Sequence, residues 1–203
     1  LGNLFDDDAF GDFSFEGLVD GKGFRLENIN TQLKGTISQI EFNKYNYQNI
    51  TVNGLYQNNL FNGKLGFVDD NLNGTFEGLA DLSEEINKFD FKTTINYANL
   101  RALNLYSRDS ISELSGVIDL DLTGNKLDNV IGIANFKNIE YTNEKELYPF
   151  KQFLIFSTLS DGVRQIRIDS EDIIKGELIG DFKFEEMLPL AQNALGSLYA
   201  NYT

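Results

Sequence analysis

The chain has 203 residues, a formal net charge of −14, and neither Cys nor His. Its length suits one large domain or a piece of an array, with room for a sizeable core. The missing residue types exclude a thiol nucleophile, an imidazole base, any Ser-His-Asp triad and the usual zinc sites, and the acidity disfavours nucleic acid and anionic membrane surfaces as docking partners.

Charged residues make up 24% of the chain, which keeps it out of the disordered class. Its 17 Phe and 9 Tyr favour strands, where their bulk packs on a pleated surface. No apolar run reaches the roughly 20 residues that span a bilayer as a helix. The chain opens Leu1-Gly2-Asn3-Leu4, without Met or a basic start, so it is expected to be a fragment of a longer polypeptide.

Asp6-Asp7-Asp8 reads as a turn ahead of the first strand, because the graded oxygen spacing and closing Glu of a calcium loop are absent. Phe10 to Val19 alternates loosely and ends in Asp20-Gly21-Lys22-Gly23, a turn signal. Leu33 to Phe42 and Ile50 to Tyr56 are further strands, and Gln57-Asn58-Asn59 is a hairpin link to Leu60 to Val68. Asp69-Asp70-Asn71 is the next turn, since Asp and Asn bond their own backbone there.

Leu72 to Leu82 and Phe89 to Tyr97 alternate more cleanly, the latter with Phe89, Phe91, Thr93, Ile95 and Tyr97 on one parity. Leu100 and Leu103 then sit three apart, which predicts a short helical turn with Asn99 as its cap. Glu113 to Thr123 is the clearest strand. Leu114, Gly116, Ile118, Leu120 and Leu122 share one parity, and Glu113, Ser115, Val117, Asp119, Asp121 and Thr123 the other.

Lys126 to Ile131 predicts a second helical turn, and Gly132 to Tyr141 a strand. Phe150 to Leu159 is a nearly continuous apolar run that turns at Ser160-Asp161-Gly162 into Val163 to Asp169. Ile174 to Phe184 alternates again, with Leu178 and Phe182 on the apolar parity. Met187, Leu190, Ala191, Ala194, Leu195, Leu198 and Tyr199 recur at helical spacing, predicting an amphipathic helix over 185–203. Short connections between the strands predict antiparallel neighbours.

Phe13-Ser14-Phe15-Glu16-Gly17-Leu18-Val19-Asp20 is echoed by Gly74-Thr75-Phe76-Glu77-Gly78-Leu79-Ala80-Asp81. Mid-strand Gly also recurs at Gly35, Gly54, Gly116 and Gly176, which points to repeated bending of a sheet or close approach to its face. Asp119 with Asp121, and Glu177 with Asp181, are the available carboxylate pairs. Each pair lies opposite the apolar parity, as on a solvated face, so a carboxylate glycosidase is the least favoured reading. A one-sided sheet must hide its apolar face, and the residues alone leave a closed sandwich and a curled groove equally open.

Asn53 to Leu65, Phe76 to Asp81, Tyr97 to Leu105, Asp169 to Gly176 and Asn193 to Tyr199, taken in order, resemble the TamB (translocation and assembly module) family of the AsmA-like group. The resemblance covers about Asp12 to Tyr202. It implies a mainly β fold: a long curved antiparallel sheet folded as a β-taco around a hydrophobic groove, with short helical turns and a C-terminal amphipathic helix. Residues 1–184 would form the β-groove segment and 185–203 the helix.

The resemblance further implies a non-enzymatic segment of a periplasmic protein anchored in the inner membrane. Such a protein conducts phospholipids toward the outer membrane and supports outer-membrane protein assembly with an Omp85-type partner. Acyl chains would lie on the apolar parity, and the expected lining is Phe76, Phe91, Ile95, Ile118, Leu120, Leu122, Leu178 and Phe182. No cofactor or metal is implied. A closed structural or adhesive β module that binds an assembly partner is the alternative.

Overall fold

Tight turns set the topology. Asn43-Lys44, Asn58-Asn59 and Asp161-Gly162 each place two consecutive residues at positive φ, between 48° and 78°. That left-handed pair matches the twist of flanking strands and makes a two-residue hairpin. Asn and Asp reach it at small cost, and Gly at none.

The computed structural model describes residues 10–22 and 30–183. It contains eleven strands: β1 (Phe10–Lys22), β2 (Asn30–Phe42), β3 (Tyr45–Gln57), β4 (Leu60–Val68), β5 (Leu72–Asp81), β6 (Lys88–Asn99), β7 (Ser112–Thr123), β8 (Ile131–Asn143), β9 (Leu147–Ser160), β10 (Val163–Asp169) and β11 (Lys175–Gly180). They form one sheet in sequence order. Each pairs antiparallel with the next.

This corrects the expected taco. β1 and β11 are the outer strands and do not pair with each other, so the sheet is open rather than curled on itself. No α-helix occurs among the described residues; their helical element is a single 3-10 turn, Leu127–Asn129. The expected helix over 185–203 lies outside the described residues, as does the Asp6-Asp7-Asp8 turn. Instead of the sheet curling over it, the apolar face is covered in part by two connections between strands.

The first of these is the β6–β7 connection. Asn99 Oδ1 accepts from Ala102 N at 3.0 Å, and Leu103 N donates to Asn99 O at 3.0 Å, which folds the chain into successive turns. Leu103 becomes fully buried and packs with Tyr47, Ile50 and Ala98, against partly buried Phe67, Leu72, Ile95 and Leu114. Asn43 and Asn104 then exchange side-chain to backbone bonds of 2.7 and 3.1 Å, tying the β6–β7 connection to the β2–β3 turn. The second is the β7–β8 connection at the other end of the strands, described below.

Register irregularities correct the parity reading at one place. Between Ile95 and Ala98 the β6 ladder gains a residue against β7, the mark of a bulge. Tyr97, expected to share a face with Ile95, instead sits opposite Asn73 and donates to Glu113 Oε1 at 3.3 Å. Ala98, 2% exposed, takes the inward position.

Candidate functional site

Cross-strand pairing defines the apolar face. Leu122 faces Phe89 and Gly132, Leu120 faces Phe91 and Ala134, and Ile118 faces Thr93 and Phe136. Beyond them Phe91 is paired with Gly78, and Thr93 with Phe76. Phe61, Phe76 and Phe91 form an aromatic track across β4, β5 and β6, with ring centroids 6.1 and 4.8 Å apart. Such tilted pairs add to simple area burial.

The opposite face is charged. Lys64 lies across from Glu77, Glu77 from Lys92, and Lys92 from Asp119. Lys64 Nζ is 2.8 Å from Glu77 Oε1, and Lys137 Nζ is 3.4 Å from Asp119 Oδ2. Opposite charges facing each other across strands stabilise a sheet modestly. Asp119 is therefore part of an ion-pair ladder. Asp121 faces Asp90 on the same surface, and Glu177 accepts from Gln165 Nε2 at 2.6 Å.

The expected lining residues fall as follows. Phe76, Phe91, Ile95, Ile118, Leu120 and Leu122 are all half-buried on the apolar face of β5, β6 and β7. Leu178 pairs with Ile166 and shares that face at the β11 edge, where it is exposed. Phe182 lies beyond β11 and is half-buried.

A concavity with an almost wholly apolar lining lies toward β8, β9 and β10. It is a hollow of about 270 Å³ lined by Leu122, Val130, Gly132, Ala134, Ile155, Ser157, Ile166 and Ile168. Of the expected residues only Leu122 lines it. Ile166 and Ile168 were visible in the sequence as one parity of Val163 to Asp169. Ile155 and Ser157 were hidden inside an apolar run with no alternation to read.

One end of the hollow is polar. Arg164 on β10 is 1% exposed. Its Nη1 donates to Val130 O at 2.9 Å and to Ser157 Oγ at 2.8 Å, and its Nη2 donates to Asp128 O. Ser157 Oγ also donates to Val130 O, at 2.8 Å. A buried guanidinium is tolerated when its donors are met in this way. Sequence reading missed it, because an Arg in an alternating strand looks solvated.

Tyrosine–carboxylate bonds fasten the ends of the strands. Tyr45 Oη donates to Asp69 Oδ1 at 2.5 Å, while Gln48 N donates to Asp69 Oδ2 at 2.9 Å. Burial, and then the Asp69 bond, push the Tyr45 hydroxyl above its ordinary pKa. Tyr141 Oη donates to Asp109 Oδ2 at 2.6 Å, which raises its pKa likewise. Both oxygens of Asp69 are thus taken by protein donors, as a turn requires.

No family model matches the chain, and neither a curated protein nor a solved structure is similar enough to count as a match. Among the described residues, no helix is long and apolar enough to cross a membrane, which says nothing of β-barrels. Among the same residues, no group of three or more acidic side chains is placed to hold a metal ion.

Proposed function

We propose that this chain is a non-enzymatic segment of a longer periplasmic envelope protein, and that its apolar sheet face holds phospholipid acyl chains. The observation that carries this reading is the hollow between β7 and β10, whose lining is aliphatic apart from Ser157 and the two small residues Gly132 and Ala134. It continues into Leu120 and Phe91 through direct cross-strand neighbours, and from Phe91 to Phe76 through the contact of their rings. Burying methylenes there supplies about 0.8 kcal/mol each. The charged ladder on the opposite face keeps that side in water.

The resemblance to the TamB family supports the envelope setting. An inner-membrane anchor and an Omp85-type outer-membrane partner belong to the whole protein under this reading. The open sheet means that lipid lies on a one-sided surface with local cover, so headgroups stay in solvent beside it.

A second reading, a structural module that binds an assembly partner, is favoured by a separate observation. On the charged side of β8 and β11, Ile131, Ile133 and Ile179 are exposed, and Phe156 carries Arg167 over its ring at 4.1 Å. An apolar patch of that kind fits a protein contact.

Native mass spectrometry of the purified chain separates the two. The lipid reading expects bound phospholipid that is lost in Ile118→Arg while the far-UV spectrum is unchanged. Absence of any bound lipid after exposure to phospholipid vesicles would reject it.

A further inference from the structure

We infer that Arg164 is a clasp that fixes where the apolar hollow ends, and so sets the length of hydrocarbon the hollow accepts. This rests on the acyl-chain reading given above. Along β10 the apolar face runs Ile168, Ile166, Arg164. The first two line the hollow, and the third is the buried cation. A hydrocarbon chain lying along the two isoleucines meets a charged group, which an apolar terminus cannot solvate.

The β7–β8 connection is built to be held there. Gly124 has φ +145° and is crowded by the returning chain, so that a Cβ would stand 2.7 Å from the Val130 Cα. Asn129 Oδ1 accepts from Asn125 N and Lys126 N at 3.0 and 2.9 Å, and Asn125 Nδ2 donates to Glu85 O at 2.8 Å. The turn is therefore shaped by its own bonds and by the β5–β6 connection. Arg164 adds the tie to the sheet face, reaching the carbonyls of Asp128 and Val130 together. The planar fork of a guanidinium meets two carbonyls at once in a way that a lysine ammonium does not.

Val130 and Ser157 belong to both structures: each lines the hollow and each is bonded to Arg164. Removing the fork frees the wall of the hollow at that end. Arg164 is thus a positioning residue for the apolar ligand, acting through the connection it holds.

The test is displacement of the fluorescent apolar probe N-phenyl-1-naphthylamine from the full chain by saturated fatty acids of increasing length. For the native sequence, each added methylene tightens binding about fourfold until a limit is reached, after which affinity levels off. In Arg164→Met the limit moves to longer chains, and the first length beyond the native limit binds about fourfold more tightly than to the native sequence. Arg164→Gln, which removes both the charge and the fork but keeps a polar end able to meet a carbonyl, moves the limit in the same direction and serves if the Met variant does not fold.

A native chain that binds neither probe nor fatty acid overturns the acyl-chain reading itself. A native chain that binds, with the limit unmoved in the variants, overturns the clasp alone. A uniform loss of affinity at every length likewise overturns the clasp, because that is what a merely structural Arg164 would give.

Discussion

Gly54 and Gly63 face each other across β3 and β4 so closely that a Cβ on Gly54 would stand 2.9 Å from the Gly63 Cα and 2.8 Å from Asn62 O. Gly63 in turn faces Gly78 on β5, where a Cβ would stand 2.5 Å from the Phe91 Cα. The three glycines make a row across the sheet in which backbones crowd where side chains would otherwise stand. Gly54→Ala is expected to destabilise the chain by about 1–3 kcal/mol, since Asn62 O and the Gly63 Cα are backbone and cannot rotate away. Urea unfolding checks this as a lower midpoint at unchanged slope.

Leu103 is the other fixed point. It is fully buried although it lies in a connection, and it joins that connection to Tyr47 and Ile50 on β3. Leu103→Ala is expected to cost about 2–5 kcal/mol. The same truncation at Leu178, 42% exposed on β11, should change stability by less than about 0.5 kcal/mol. Equal effects at both positions would mean that the β6–β7 connection does not cover the core.

Alkaline pH should loosen the sheet. Tyr45, Tyr47, Tyr56, Tyr97, Tyr141 and Tyr148 all have pKa values raised above 10.0. For Tyr45, Tyr47, Tyr56 and Tyr97 the leading cause is burial, and for Tyr141 and Tyr148 a hydrogen bond to a carboxylate. A group whose folded pKa is raised gives stability that is complete below the unfolded value. That stability is lost as pH rises through the folded value. Thermal midpoints should therefore fall above about pH 10, and Tyr45→Phe with Tyr141→Phe should make the fall shallower.

The strands were legible because their chemistry is local. Asn58-Asn59 and Asp161-Gly162 announce hairpins, and the expected strands Leu60–Val68 and Val163–Asp169 coincide with β4 and β10. Parity along β7 placed Ile118, Leu120 and Leu122 on one face, where cross-strand pairing puts them. The shape of the sheet was not legible. The taco followed from resemblance, whereas cover for the apolar face comes from tertiary contacts, such as Leu103 on Tyr47, that no periodicity encodes. Tyr97 failed because a one-residue bulge reverses parity without a sequence mark of its own. The hollow was mostly missed because its far wall, Ile155 and Ser157, lies in a run without alternation, and because the role of Arg164 depends on carbonyls 34 and 36 residues away.

Photolabelling with a phospholipid that carries a diazirine in its acyl chain, with labelled peptides mapped by mass spectrometry, shows which face of the sheet meets hydrocarbon. Labels are expected on Leu120, Leu122, Ile155, Ile166 and Ile168 of the apolar face, with Asp119, Asp121 and Lys137 of the charged face unlabelled. Labelling spread equally over both faces, or confined to Ile131, Ile133 and Ile179, would contradict the acyl-chain reading.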